Sequence, residues 1–124
     1  MRVFKNTWFN RFADKEGIAD IELLEAVNQL EAEQPDADLG GGVYKVRLAR
    51  PGEGKSGGYR VIVFFKSGER TFYQYGYSKA DRDNIDQKEL RLYKKIAKTK
   101  LNMTKKELTK AINARELIEI KEEQ

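Results

Sequence analysis

Between residues 43 and 78 the chain carries three strand-type runs in succession, and no other feature of the sequence restricts the fold as strongly. The runs are residues 43–50, 59–66 and 71–78. The last two are separated by residues 67–70, a short connection containing Gly68 that suits a hairpin. The first two are separated by residues 51–58, where four glycines give a loop able to approach a ligand closely. Strands this close in sequence pair as an antiparallel meander, because a parallel βαβ crossover needs a dozen or more connecting residues.

Helical periodicity flanks this block on both sides. Phe4, Trp8, Phe9 and Phe12 recur at helical spacing and predict a short amphipathic helix ending at Gly17, after a brief strand at residues 2–5. A second helix is expected from a cap at Asp20 to about Glu33, with Leu23, Leu24, Val27 and Leu30 inward. Its other face carries Glu22, Glu25, Glu31 and Glu33, read as solvated. Pro35 and three successive glycines make residues 34–42 a loop. After the strands, Asp86 with Glu89 and Thr104 with Glu107 form two capping-box pairs, each announcing a helix. Leu90, Tyr93, Ile96 and Ala97 supply the buried stripe of the first, and residues 117–120 offer a closing strand. The order predicts an α+β fold: a small antiparallel sheet of three to four strands packed against N-terminal helices, with extra C-terminal helices. At 124 residues this is one domain, its core at about 2–98 and a helical extension at about 99–124.

Composition removes several chemistries. Without cysteine there are no disulfides, thiolate nucleophiles or Cys-based zinc sites, and without histidine the commonest general base and metal ligand is missing. An enzyme of this composition works with Lys, Arg, Tyr and carboxylates, and neither a metal nor a cofactor is expected. No run approaches the ~18 apolar residues of a membrane span, and the N-terminus lacks a secretory pattern, so a cytoplasmic protein is expected. The net charge of +4 is uneven. Residues 1–40 carry 4 basic and 9 acidic side chains, residues 41–82 carry 9 and 3, and residues 83–124 carry 11 and 8. A basic middle concentrated in strands points to an anionic partner, nucleic acid first.

Residues 49–56, ARPGEGKS, imitate a phosphate-binding loop. The imitation fails on context, because such a loop requires a helix immediately after it and a strand-type run follows here. Strand alternation says more. It puts Lys45 and Arg47 on one face of the first strand, with Tyr44, Val46 and Leu48 on the other. In the second strand Tyr59, Val61, Val63 and Phe65 share a face, and Arg60 joins Ile62 and Phe64 opposite. Two apolar faces make this strand central, with helices on one side. An Arg among such neighbours needs an anionic partner, Glu69 or Asp81, or a cleft. Tyr73, Tyr75 and Tyr77 line one face of the third strand, ahead of Lys79 and Arg82. Each signal alone also describes core packing or a solvated face. Together they set cations and aromatic rings around one sheet, as RNA binding requires.

Residues 41–86 contain VYKVRLAR, then a glycine-rich loop leading into GGYRVIVFF, then YGYSKADRDNI. This run resembles the toxins of the RelE/HigB group, and with the preceding helices the likeness covers about residues 2–98. The resemblance implies an mRNA endoribonuclease acting on the ribosome, at the A site, and restrained by a cognate antitoxin protein. Its chemistry is attack of a ribose 2′-hydroxyl on the adjacent phosphate. It implies catalytic roles for Lys45 as general base, Arg47 as a second cation, Arg60 as the stabiliser of transition-state charge, and Lys79. Arg50, Lys55, Arg82, Tyr75 and Tyr77 would contact RNA. A free lysine titrates near 10.4, so Lys45 would need Arg47 and Arg60 beside it to act as a base. Ala80 stands where some members carry a catalytic arginine, and the proton donor is unassigned among Tyr75, Tyr77 and Lys79. The alternative is a non-catalytic module that keeps this fold to bind RNA, DNA or protein.

Overall fold

The structure is a computed structural model that describes residues 1–50 and 54–121, with backbone alone for 54–57. The elements in chain order are β1 (Arg2–Asn6), α1 (Thr7–Glu16), α2 (Asp20–Glu31), β2 (Ala37–Gly40), β3 (Val43–Arg50), β4 (Gly54–Lys66), β5 (Arg70–Ser78), α3 (Gln87–Leu101), α4 (Lys105–Asn113) and β6 (Leu117–Ile120). The helices start where polar side chains meet exposed amides. Asn6 accepts from the Phe9 amide, and the Asp86/Glu89 and Thr104/Glu107 boxes both close. Gly17, left-handed at φ 72°, ends α1. The second helix begins at Asp20, but its cap position is Ala19, whose amide donates to Glu22.

The sheet has six strands in the order β2-β3-β4-β5-β1-β6, more than the three or four expected. It is mixed, since β1 runs parallel to β5 while every other pair is antiparallel. Three features escape local pattern. The strand β2 lies in the segment read as a loop. It is only four residues long and is defined by pairing with β3. The strand β4 starts at Gly54, so part of the glycine-rich connection is strand, and no helix follows the Gly54-Lys55-Ser56 run. Phe4 sits in β1, stacked on Phe72 at 5.1 Å, and is not part of the first helix.

Both faces of the sheet are covered, where the sequence predicted helices on one side. One core holds Val46, Leu48, Tyr59, Val61, Val63 and Tyr73 beneath Phe9, Leu23 and Val27 of α1 and α2. The other holds Phe4, Val43, Ile62, Phe64 and Phe72 beneath Tyr93, Ala97 and Leu108 of α3 and α4. A register shift lies between Ile62 and Val63, which pair with Tyr75 and Tyr73 and leave Gln74 as the extra residue. A bulge of this kind reverses the side-chain alternation on either side of it. Tyr73 therefore turns into the α1/α2 core, where its hydroxyl donates to the Leu23 carbonyl, and the three-tyrosine stripe is broken. Tyr75 packs toward the other core.

Opposite Val61, Gly76 makes room for Phe12, since a Cβ there would lie 2.5 Å from a ring carbon. Replacing Gly76 with Ala should therefore cost about 1–3 kcal/mol through overpacking. The expected readout is a lower urea midpoint at unchanged slope.

Candidate functional site

The α3/α4 face of the sheet is apolar at one end and polar at the other, and strand register sets the gradient. Val43, Phe64 and Phe72 form the apolar row, Lys45, Ile62 and Tyr75 the next, and Arg47, Arg60 and Tyr77 the last. At the polar end a carboxylate waits. Asp36, just before β2, is held over the sheet because its amide donates to the Lys45 carbonyl at 2.8 Å. Its Oδ1 accepts from Arg47 Nε at 2.5 Å, and its Oδ2 lies 3.6 Å from Lys45 Nζ and 3.9 Å from Arg60 Nε. Three cations predicted from the sequence thus converge on one acid that the sequence reading left inside a loop. No periodic signal marks Asp36; only the pairing of β2 with β3 brings it here.

Burial makes this cluster energetically serious. The Arg60 side chain is 4 % exposed and that of Asp36 is 11 % exposed. A guanidinium so placed requires an anion, and Asp36 takes the role offered to Glu69 or Asp81. Tyr77, paired with Arg60 in the strand register, is equally enclosed. Its hydroxyl is the sole buried side-chain polar atom without a hydrogen-bond partner among the described residues. Burial raises the Tyr77 phenol above its ordinary range, Arg82 and Arg60 pull it back, and Asp36 pushes it up again.

Arg82 extends the site past the end of β5. Its guanidinium lies 5.8 Å from the Tyr75 ring centre and 5.7 Å from that of Tyr77, and it donates to the Tyr75 hydroxyl at 3.3 Å. It also pairs with Glu89 of the α3 capping box, which raises the arginine and lowers the glutamate relative to their usual values. Trp8, unassigned from the sequence, is 45 % exposed and packs on Tyr75 with ring centres 4.7 Å apart. Trp8, Phe12, Tyr75, Tyr77 and Arg82 line a cleft of about 350 Å³, room for a flat ring. Tyr93 completes the aromatic wall behind Tyr75, and burial pushes its phenol up to about 12.

Other expected residues are placed differently. Lys79 is exposed in the turn after β5, and its amide donates to the Gly58 carbonyl. Arg50 lies over the Tyr59 ring at 5.9 Å, at the end of β3. The side chain of Lys55 is outside the described residues. Ala80 sits in the same turn as Lys79, its amide donating to Ser78 Oγ. No cluster of three or more His, Cys, Asp or Glu side chains suited to a metal occurs among the described residues. No helix there is long and apolar enough to cross a membrane.

One comparison with known proteins bears on this arrangement. The family model described as the RelE toxin of the RelE / RelB toxin-antitoxin system matches residues 1–120. The matched span runs from β1 through β6 and contains every residue of the polar cluster.

The Arg82–Glu89 pair gives the acid stability of the fold a specific component. Glu89 is held below its unfolded value, so the stability it contributes is present above that value, about 4.3, and is lost as pH falls through the folded one. Urea midpoints measured from pH 6 to pH 3 should fall less steeply for Glu89→Gln than for the parent chain.

Proposed function

We propose that this chain, which belongs to the RelE family of toxins from toxin–antitoxin systems, is an endoribonuclease that cleaves ribosome-bound mRNA at the A site without a metal. Family membership implies an antitoxin protein as its partner. The observation that carries the nuclease reading is the convergence of Lys45, Arg47 and Arg60 on Asp36, beside the unpartnered hydroxyl of Tyr77.

Cleavage by a 2′-hydroxyl needs three things: a base, charge for the phosphorane, and a proton for the departing oxygen. The O2′–P bond forms as the P–O5′ bond breaks, leaving a cyclic phosphate and a 5′-hydroxyl. In this reading Lys45, Arg47 and Arg60 supply the charge that a metal provides elsewhere. Because they are fixed on adjacent strands of a rigid sheet, little reorganisation accompanies the reaction. Trp8, Tyr75 and Arg82 offer ring faces and a cation to an unstacked base next to the cut. Arg82, over the two tyrosine rings, brings positive charge near the position where Ala80 has none.

The alanine at position 80 favours one rival, a non-catalytic module that binds RNA or protein through the same face. The two separate in an in vitro translation reaction with a defined mRNA whose new 5′ ends are mapped. The nuclease reading expects cuts within codons at the A site, and Arg60→Ala should slow them by roughly 10²–10³-fold. A folded parent chain that leaves the message intact overturns the nuclease and favours the binding module.

A further inference from the structure

We propose that Asp36 is the general base of the cleavage and Tyr77 its proton donor, with Lys45, Arg47 and Arg60 holding the phosphate between them. The assignment deepens the ribonuclease reading above and rests on it. It also replaces Lys45 in the role that the family resemblance implied. Lys45 Nζ lies 3.6 Å from Asp36 Oδ2, the place of a cation beside a carboxylate, and Asp36 is the member of the cluster whose oxygens offer lone pairs to a proton.

The two oxygens of Asp36 are used unequally. Oδ1 is bound by Arg47. Oδ2 lies within ion-pair range of Lys45 and Arg60 but beyond hydrogen-bond range of both, so among the described residues it accepts no hydrogen bond. Oδ2 is not among the buried polar atoms left without a partner, so it is the oxygen of Asp36 that an incoming group can approach. An accessible lone pair facing two cations is a seat for a hydroxyl proton.

Tyr77 shows the complementary imbalance, a donor with nothing to donate to. Burying an unpaired hydroxyl is unfavourable, and a ligand oxygen would relieve it. Burial also keeps the phenol protonated, as a donor must be.

Their placement fits the stereochemistry of the reaction. The sheet order runs β2, β3, β4, β5. Asp36 reaches Arg60 from the β2 side, and Tyr77 flanks Arg60 from β5. Base and acid therefore stand on the two sides of Arg60, the order that in-line attack and departure at a phosphate held there would use. The 2′ proton passes to Asp36 Oδ2, the O2′–P bond forms, the P–O5′ bond breaks, and the Tyr77 proton goes to O5′. Charge is conserved through the step: once Asp36 has taken the 2′ proton it is neutral, and the three cations face the dianionic phosphorane.

The test is single-turnover cleavage of mRNA on stalled ribosomes between pH 5 and 9, with binding measured on a message 2′-deoxy at the cut site. Asp36→Asn should slow cleavage roughly 10²–10⁴-fold and leave binding unchanged or tighter. The residual rate of that variant should rise about tenfold per pH unit, because hydroxide must then take the 2′ proton. Asp36→Glu should recover part of the rate. Tyr77→Phe should slow cleavage about 10-fold or more on an ordinary message and not on one with a 5′-thio leaving group, which departs without a proton. A structural role for Asp36 would instead weaken binding and melting together and leave the pH dependence of the parent in place. The proposal is overturned if Asp36→Asn cleaves at the parent rate, or if Lys45→Met and not Asp36→Asn acquires the dependence on hydroxide. A parent chain that cleaves nothing removes the ribonuclease reading itself, a different result from a cleaving parent with a cleaving Asp36→Asn.

Discussion

The rest of this structure depends on how β4 is buried. Thirteen residues long, it lies inside the sheet with apolar side chains on both faces from Tyr59 to Phe65, and so it requires helices on each side. The one polar residue in that run, Arg60, breaks a face that would otherwise close completely. A guanidinium at such depth costs several kcal/mol unless an anion reaches it. Asp36 does so only because β2 folds back along β3 and carries it over two strands. The short edge strand is thus a device for delivering one carboxylate.

The bulge at Gln74 matters for the same reason. An uninterrupted β5 would keep Tyr73, Tyr75 and Tyr77 on one face and Phe72 on the other. With the extra residue, Phe72 seals the α3/α4 core at one end while Tyr75 and Tyr77 turn to the same face at the other. Gln74 itself is held by Asn6 and by Lys100, whose ammonium lies over the rings of Phe64 and Phe72. Burial lowers that lysine below its usual range. One irregular residue thereby joins the apolar end of the face to the polar end.

What could be read from the chain was what local chemistry decides. The three strands of the meander, the two capping boxes and the αL glycine at position 17 are written in spacings of two to four residues. Strand alternation also placed Lys45, Arg47 and Arg60 correctly, since β3 and β4 pair without a break between residues 43 and 48. The parallel seating of β1 beside β5, the strand β2 and the Gln74 bulge depend on partners distant in sequence, and leave no periodic trace. Asp36 was hidden for that reason. It follows a proline in a stretch of turn-forming residues, where an aspartate ordinarily signals a loop.

The same point explains why charge counted by segment misleads here. Residues 1–40 are acidic and residues 41–82 basic, as though the first were irrelevant to an anionic ligand. Yet one of those acids sits among the basic residues, and it changes their combined character. Without it, Lys45, Arg47 and Arg60 are three like charges on neighbouring strands, which repel and must be screened by solvent. With it, they are held in fixed positions, partly desolvated and still net positive. A surface patch of lysines and arginines attracts any polyanion. A cluster organised around a single carboxylate, with Arg60 and Asp36 largely withdrawn from solvent, instead holds its cations at set spacings, so that the shape of an anion matters as well as its charge.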